Sequence, residues 1–221
     1  MARSALITIE GIDGAGKSTL AEGLRHALTE RRVDVRLVRE PGGVELAERL
    51  RTLVTDPALR VSPRAEALLY AAARAQLVAE LLAPLLEQGK LLLLDRFSDS
   101  TLAYQGGGRG LGIEQVRSLD SFATGSLVPD RTLLLALPTD LARSRLAAHE
   151  RRAEVGPDRI EAEPDAFFAT VAATYEQLAA DEPERFRSLD ATQSPGDVLR
   201  EALAAIEDLL GTPGGDLASA P

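Results

Sequence analysis

Eight consecutive residues, Gly11-Ile12-Asp13-Gly14-Ala15-Gly16-Lys17-Ser18, have the types and spacing of a phosphate cradle, G-x-x-x-x-G-K-[ST], with Thr19 completing the turn. Glycine lets the main chain curl until several N–H groups converge on phosphate oxygens, and a helix starting at Lys17 adds its positive dipole end. Lys17 would be a point charge for the β- and γ-phosphates of a nucleotide, and Ser18 a hydroxyl ligand for Mg²⁺. The competing reading is a glycine turn joining strand to helix with an incidental lysine. An apolar strand before the loop and an amphipathic helix after it favour the cradle. Asp13 is out of character, an acid in the middle of an anion site.

Cations follow elsewhere in the chain. Arg39, Arg51 and Arg96 stand after a strand, within a helix and after a strand, where a wound sheet gathers its ligand contacts. Arginine's planar fork grips phosphate oxygens in pairs, although each of these residues taken alone reads as a surface charge. The run "LLLLD" ends in Asp95 immediately before Arg96, placing a candidate Mg²⁺ ligand beside a candidate phosphate ligand. Tyr70 and Arg74 are four apart and share a helix face, so a ring could stack on a base while a guanidinium donates to its carbonyl. Residues 142–161 hold Arg143, Arg145, Arg151, Arg152 and Arg159, a set that as a helix face reads equally as solvated charge. His26 and His149 have no ligand-like spacing and read as surface residues.

These residues need elements to carry them. Strand patterns cover Ser4–Glu10, Asp34–Arg39, Lys90–Asp95, Thr132–Leu137 and Arg185–Leu189. Helical patterns fall at Lys17–Arg31, Val44–Thr55, Pro63–Gln88, Gly112–Thr124, Asp140–Arg151, Pro164–Asp181 and Pro195–Leu210. Alternation at these spacings predicts an α/β fold with a mainly parallel sheet covered on both faces. The end, "GTPGGDLASAP", has breaker residues and no period, so a frayed tail is expected.

Composition narrows the chemistry. The chain has 221 residues and no cysteine, which excludes disulfides and thiolate-held metals. The formal net charge of −9 argues against a broad nucleic-acid face. The longest apolar runs are strand-sized and no signal-peptide pattern precedes the first strand, so a cytoplasmic protein with no membrane partner is expected. Asparagine is absent, which removes the N-K-x-D that reads guanine in regulatory switches. A motor ATPase would need a larger chain, leaving a small-molecule kinase as the main reading.

In order, the phosphate loop, "REPGG" at 39–43, "RLRTLV" at 49–54, "LLYAAARAQ" at 68–76, "DRFSDSTLAYQGGGRG" at 95–110 and "PDRIE" at 157–161 resemble the bacterial thymidylate kinases over residues 7–198. The resemblance implies a P-loop three-layer α/β/α fold with a five-stranded, mainly parallel sheet. It also implies one domain over 1–210 with a short lid at 142–161, a tail at 211–221, and a homodimer. The implied reaction is ATP + dTMP → ADP + dTDP with Mg²⁺ held by Ser18 and Asp95. Residues 11–19 would bind ATP, while Asp13, Arg39, Glu40, Arg51, Tyr70, Arg74, Arg96, Thr101, Tyr104 and Gln105 would surround dTMP. In that assignment Arg51 and Arg96 take the phosphate, Tyr70 stacks on thymine, Arg74 donates to it, and Thr101 and Gln105 approach its edge. Tyr104 packs on the deoxyribose, and Asp13 accepts from its 3′-hydroxyl and orients an arginine.

Gly14 follows Asp13 where part of the family has an arginine, so the transition-state cation is assigned to Arg151 or Arg152, with Arg159 next. The catalytic set is then Lys17, Arg96, Arg151, Arg152 and Asp13. Gly106–Gly108 read as a tight loop, Ala136 departs from the family's usual Asp or Asn, and "DATQSP" at 190–195 matches the loop beside the donor adenine. A kinase for UMP, CMP or AMP, or a nucleotide-binding regulator without catalysis, remains the alternative.

Overall fold

A computed structural model describes residues 4–153 and 156–210, apart from the side chains at 149, 150, 152 and 153. The expected tail at 211–221, and the side chains of His149 and Arg152, therefore lie outside the described residues. Five strands, β1 (Ala5–Glu10), β2 (Val35–Arg39), β3 (Leu91–Asp95), β4 (Arg131–Ala136) and β5 (Phe186–Asp190), form one parallel sheet in the order β2-β3-β1-β4-β5. From β1 the chain crosses to the edge strand β2, returns to β3 beside β1, and then passes to the other side for β4 and β5. The C-terminal ends of β1 and β3 therefore lie side by side at the switch point, with Ile9 opposite Asp95.

Successive side chains on a strand face opposite ways, and here both faces are buried. Ala5, Ile7, Ile9, Leu91 and Leu93 join one apolar core with Leu24, Leu28, Phe168 and Tyr175. Leu6, Leu92 and Leu94 join a second with Ala47, Ala73, Leu77 and Phe97. The first core is covered by α1 (Lys17–Glu30), α8 (Asp165–Asp181) and α9 (Pro195–Ile206), the second by α2 (Glu45–Thr55) and α3 (Pro63–Leu77). Ser62 and Ser194 cap α3 and α9, each followed by proline at the first helical position, and left-handed Gly125 follows α6 (Ile113–Thr124).

The structure corrects two sequence expectations. The helix expected over Pro63–Gln88 has a π-helical turn, Val78–Leu82, between α3 and α4 (Ala83–Glu87). Pro84 follows it, and the wider turn relieves a ring that an α-helix would drive into the carbonyl four residues back. This rod is apolar and long enough, by composition, to cross a bilayer, with mean hydropathy 1.3. Its Ala73, Leu77, Val78 and Leu82 pack in the second core.

The second correction concerns the glycines. Ser98–Thr101 is a short helix, α5, and Leu102–Gly108 continues it as a π-helix where a loop is expected. A Cβ on Gly108 would sit 2.5 Å from the Phe167 ring, and the segment packs closely on α8. These glycines serve close approach of two helices, a need that the linear sequence does not announce.

Candidate active site

β1 is apolar until Glu10 except for buried Thr8, and the loop after it is forced by packing and by backbone angle. Gly11 has φ +138°, and a Cβ there would lie 2.8 Å from the carbonyl oxygen of Leu135. Left-handed Gly16, φ +98°, turns the chain into α1. Lys17 folds back over the loop, with Nζ donating to the Ile12 carbonyl at 2.9 Å and lying 3.7 Å from Asp13. Burial and the nearby Arg96 bring its pKa down to about 8, although Asp13 and Asp95 oppose the drop.

Ser18 Oγ donates to Asp95 Oδ2 at 2.7 Å, joining the start of α1 to the end of β3. Hydroxyl and carboxylate are hard oxygen donors suited to Mg²⁺. Among the described residues no group of three or more Asp, Glu or His could cage a metal, so this pair could hold an ion only together with ligand oxygens.

The acid inside the cradle is explained by its partners. Asp13 Oδ1 accepts from Arg96 Nη2, and Oδ2 accepts from the Tyr104 hydroxyl at 2.9 Å. Burial alone would raise the Asp13 pKa, but Arg96, Lys17 and these hydrogen bonds hold it at about 2. Arg96 also donates to the Gly11 carbonyl at 3.1 Å and lies over the Tyr104 ring, 5.0 Å from its centre. Its backbone is left-handed, φ +73°, which is unusual for a non-glycine residue and concentrates at functional sites.

Glu10, passed over in the sequence, supports that turn from below. It accepts from the Phe97 amide at 2.7 Å, from Ser100 Oγ at 2.6 Å and from the Tyr175 hydroxyl at 2.9 Å. Burial, reinforced by Asp99, raises its pKa to about 7. An ionisable residue at the end of a buried strand was the available signal.

Further along, Arg74 is buried, donating to Glu40 at 2.8 Å, Thr101 at 2.9 Å, Asp120 at 2.5 Å and the Phe97 carbonyl at 3.1 Å. A donation to a base edge would compete with these bonds. Tyr70 is half-buried beside it, its hydroxyl pKa pushed up to about 12 by burial and by Glu66. Gln105 Nε2 donates to Glu66 Oε1 at 2.8 Å, and Arg109 and Arg159 also pair with that carboxylate. Glu66, Tyr70 and Arg74 recur every four residues, a stripe whose first member the sequence reading left out.

The expected lid divides. Its first part continues α7 (Thr139–Ala153), in which Arg143 is tied back to the Glu161 carbonyl at 2.9 Å and to Asp165 at 3.0 Å. Arg145 lines the cleft and donates to the Ala191 carbonyl at 3.0 Å, while Arg151 is exposed. Arg159 anchors the far end through the carbonyls of Val54, at 2.9 Å, and Thr55.

Two clefts result. One of about 690 Å³ runs from the phosphate loop, with Thr19, Arg39 and Asp95, past Arg145 to Gln193 and Val198. The other, about 130 Å³, is walled by Tyr70, Arg74, Thr101, Tyr104 and Gln105. They share Asp13, Glu40, Arg51, Arg96 and Glu161. Arg51 is held by the Pro41 carbonyl at 3.1 Å, whereas Arg39 is mostly exposed, 3.5 Å from Glu48. The structure thus gathers residues 13–19, Arg39, Glu40, Arg51, Tyr70, Arg74, Asp95, Arg96, Thr101, Tyr104 and Gln105 around one junction; Arg159 lines neither cleft, Arg151 is exposed, and the side chain of Arg152 lies outside the described residues.

The family model for thymidylate kinase matches residues 9–202. The chain is 44% identical over 210 residues to a thymidylate kinase of Halorhodospira halophila, covering 94% of this chain and 96% of the relative. It is 47% identical over 207 residues to a thymidylate kinase of Desulfovibrio desulfuricans, covering 92% and 95%. A thymidylate kinase of Oenococcus oeni is 46% identical over 212 residues, covering 95% and 98%.

Proposed function

The chain belongs to the thymidylate kinase family, and from that premise we propose that it transfers the γ-phosphoryl group of ATP to dTMP, giving ADP and dTDP. One observation carries the reading: a phosphate-loop cleft and a second, base-sized cleft share a wall containing Asp13, Arg51 and Arg96. Two phosphates brought to a common boundary react as one bound unit, and such positioning accounts for much of phosphoryl-transfer catalysis.

In this reading Lys17 and the amides of residues 11–19 hold the ATP phosphates, and Arg51 and Arg96 hold the phosphate of dTMP, with Arg39 and Glu40 beside them. Tyr70 stacks on thymine, Tyr104 packs on the deoxyribose, and Arg74, Thr101 and Gln105 line the base edge. Asp13 orients Arg96 and accepts from the 3′-hydroxyl. Ser18 and Asp95 would hold Mg²⁺ together with the donor phosphates, and the ion would neutralise their charge. The acceptor oxygen is already anionic, so no general base is required. Arg151 and Arg152 reach the transferred group when the lid closes and excludes water. Residues 1–210 act as one domain, in a cytoplasmic homodimer; Leu68 on α3 and Phe122 on α6 are large apolar side chains left exposed, which supports a partner surface there.

The test is a panel of nucleoside monophosphates with ATP, with products separated by chromatography. dTDP should be the favoured product. Preference for UMP, CMP or AMP would replace the substrate assignment, and binding of ATP and dTMP without dTDP would indicate a regulator.

A further inference from the structure

Glu66 lies outside the set of residues proposed to touch substrate, yet it is fully buried one layer behind the smaller cleft. Its two oxygens have different partners. Oε1 accepts from Gln105 Nε2 at 2.8 Å and from Arg109 Nε at 3.0 Å, while Oε2 accepts from Arg109 Nη2 at 3.0 Å and pairs with Arg159 Nη1 at 2.7 Å. Two guanidiniums keep this carboxylate ionised, and an ionised carboxylate can only accept. The amide of Gln105 must therefore turn its NH₂ toward Glu66. Gln105 is 2% exposed and lines the cleft, so the opposite amide atom, the carbonyl oxygen, is the one presented to a ligand. Flipping the amide would set two acceptors face to face in a buried site, where unmatched polar groups are costly.

We propose that Glu66 is a specificity-determining positioning residue: it fixes the Gln105 amide with its carbonyl oxygen toward the base, so that the cleft selects pyrimidines carrying an N3–H. Thymine has that donor, whereas cytosine has a lone pair at N3 and would meet the oxygen acceptor to acceptor. This inference rests on the reading of the smaller cleft as the acceptor-base site.

The experiment compares kcat/KM for dTMP and dCMP at saturating ATP in wild type, Glu66→Gln and Glu66→Asp. In the Gln variant the new amide keeps its oxygen at the Oε2 position, which has two donors in Arg109 Nη2 and Arg159 Nη1, and its NH₂ takes the Oε1 position, facing Gln105 and displacing Arg109 Nε. Gln105 then reverses and offers a donor to the base. The dTMP:dCMP ratio should fall by about tenfold or more, because a site built for one hydrogen-bond polarity rejects the other strongly. Glu66→Asp, which keeps an acceptor-only carboxylate, should retain the wild-type ratio. On a Gln105→Met background, Glu66→Gln should leave the ratio where Gln105→Met alone puts it. A folded Glu66→Gln protein with the wild-type ratio, or an equal shift on the Gln105→Met background, overturns the proposal.

Should Glu66→Gln not fold, neutron diffraction from wild-type crystals decides the orientation directly. Amide deuterons on the atom facing Glu66 support the proposal, and deuterons on the cleft-facing atom overturn it. Failure of the wild-type protein to make dTDP would instead refute the functional reading, which the neutron result does not depend on.

Discussion

The two clefts are built by opposite means. The larger is organised around one contiguous stretch, Asp13 to Leu20, whose main-chain curl and single lysine suit any nucleoside triphosphate, with the remaining walls drawn from elsewhere in the chain. The smaller is assembled from side chains distant in the sequence and paired in advance: Arg74 with Glu40 and Asp120, Arg96 with Asp13, Gln105 with Glu66. A phosphate presents the same oxygens on every nucleotide, so backbone amides suffice for it. A base must be distinguished from its relatives, which calls for donors and acceptors whose directions are already fixed. On the proposed reading the difference places selectivity in the buried carboxylates behind the smaller cleft.

The comparison breaks most visibly at the lysine. Lys17→Ala should lower kcat by about 10³-fold or more while the folded state persists, because on the proposed reading it removes the charge facing the transferred group. Near wild-type turnover in a steady-state assay would separate the loop from catalysis altogether. Next in size, Arg151→Ala with Arg152→Ala should reduce kcat by about 10²-fold, more than it raises the dTMP KM, on the scale of losing one transition-state donor. If kcat is unchanged in both single variants and in the double variant, the lid contributes no such cation. Arg145→Ala is the useful control, since its place beside Ala191 predicts a change in ATP KM instead.

Asp13→Ala sharpens the boundary between the clefts. It frees Arg96 and Tyr104 together, so kcat/KM for dTMP should fall by about tenfold, while ATP binding measured by calorimetry is largely spared. Equal loss on both sides would mean that the acid belongs to the donor cleft as much as to the acceptor.

The smallest effect concerns stability. Free glutamate titrates near 4.5, but Glu10 in the fold is held at about 7, first by burial and then by Asp99. The folded state therefore binds the additional proton between those values, and stability falls as pH rises from about 4.5 to 7. Asp13 has the opposite sign: held at about 2 against 3.8, it contributes stability that is present above 3.8 and is lost as pH falls toward 2. Glu10→Gln should flatten the Tm profile between pH 5 and 7 by a few degrees and leave the acid limb unchanged. An unaltered slope in thermal melts would remove Glu10 from the linkage.

Much of this molecule was legible because local physics dictates it. Alternating strands and amphipathic helices announced a parallel sheet, with boundaries within a few residues, and G-x-x-x-x-G-K-[ST] placed one ligand-binding loop without further help. The resemblance then grouped Asp13, Arg51, Arg74, Arg96, Tyr104 and Gln105, and the fold brings them to one junction. What stayed hidden was pairing across distance. Glu10, Glu66 and Asp120 each read as an ordinary acid until burial showed which cation or amide it faces. Gly106–Gly108 read as a loop because the reason for them, the approach of Phe167 and Thr174 on α8, lies some sixty residues away.

The sequence by itself determined the sheet and the phosphate loop, since these follow from periodicity and from side-chain types at fixed short spacing, while the reaction class came from the family resemblance. Only the tertiary structure decided which carboxylate holds which arginine, because a charge or an amide acquires a direction only when the fold buries it beside a single partner.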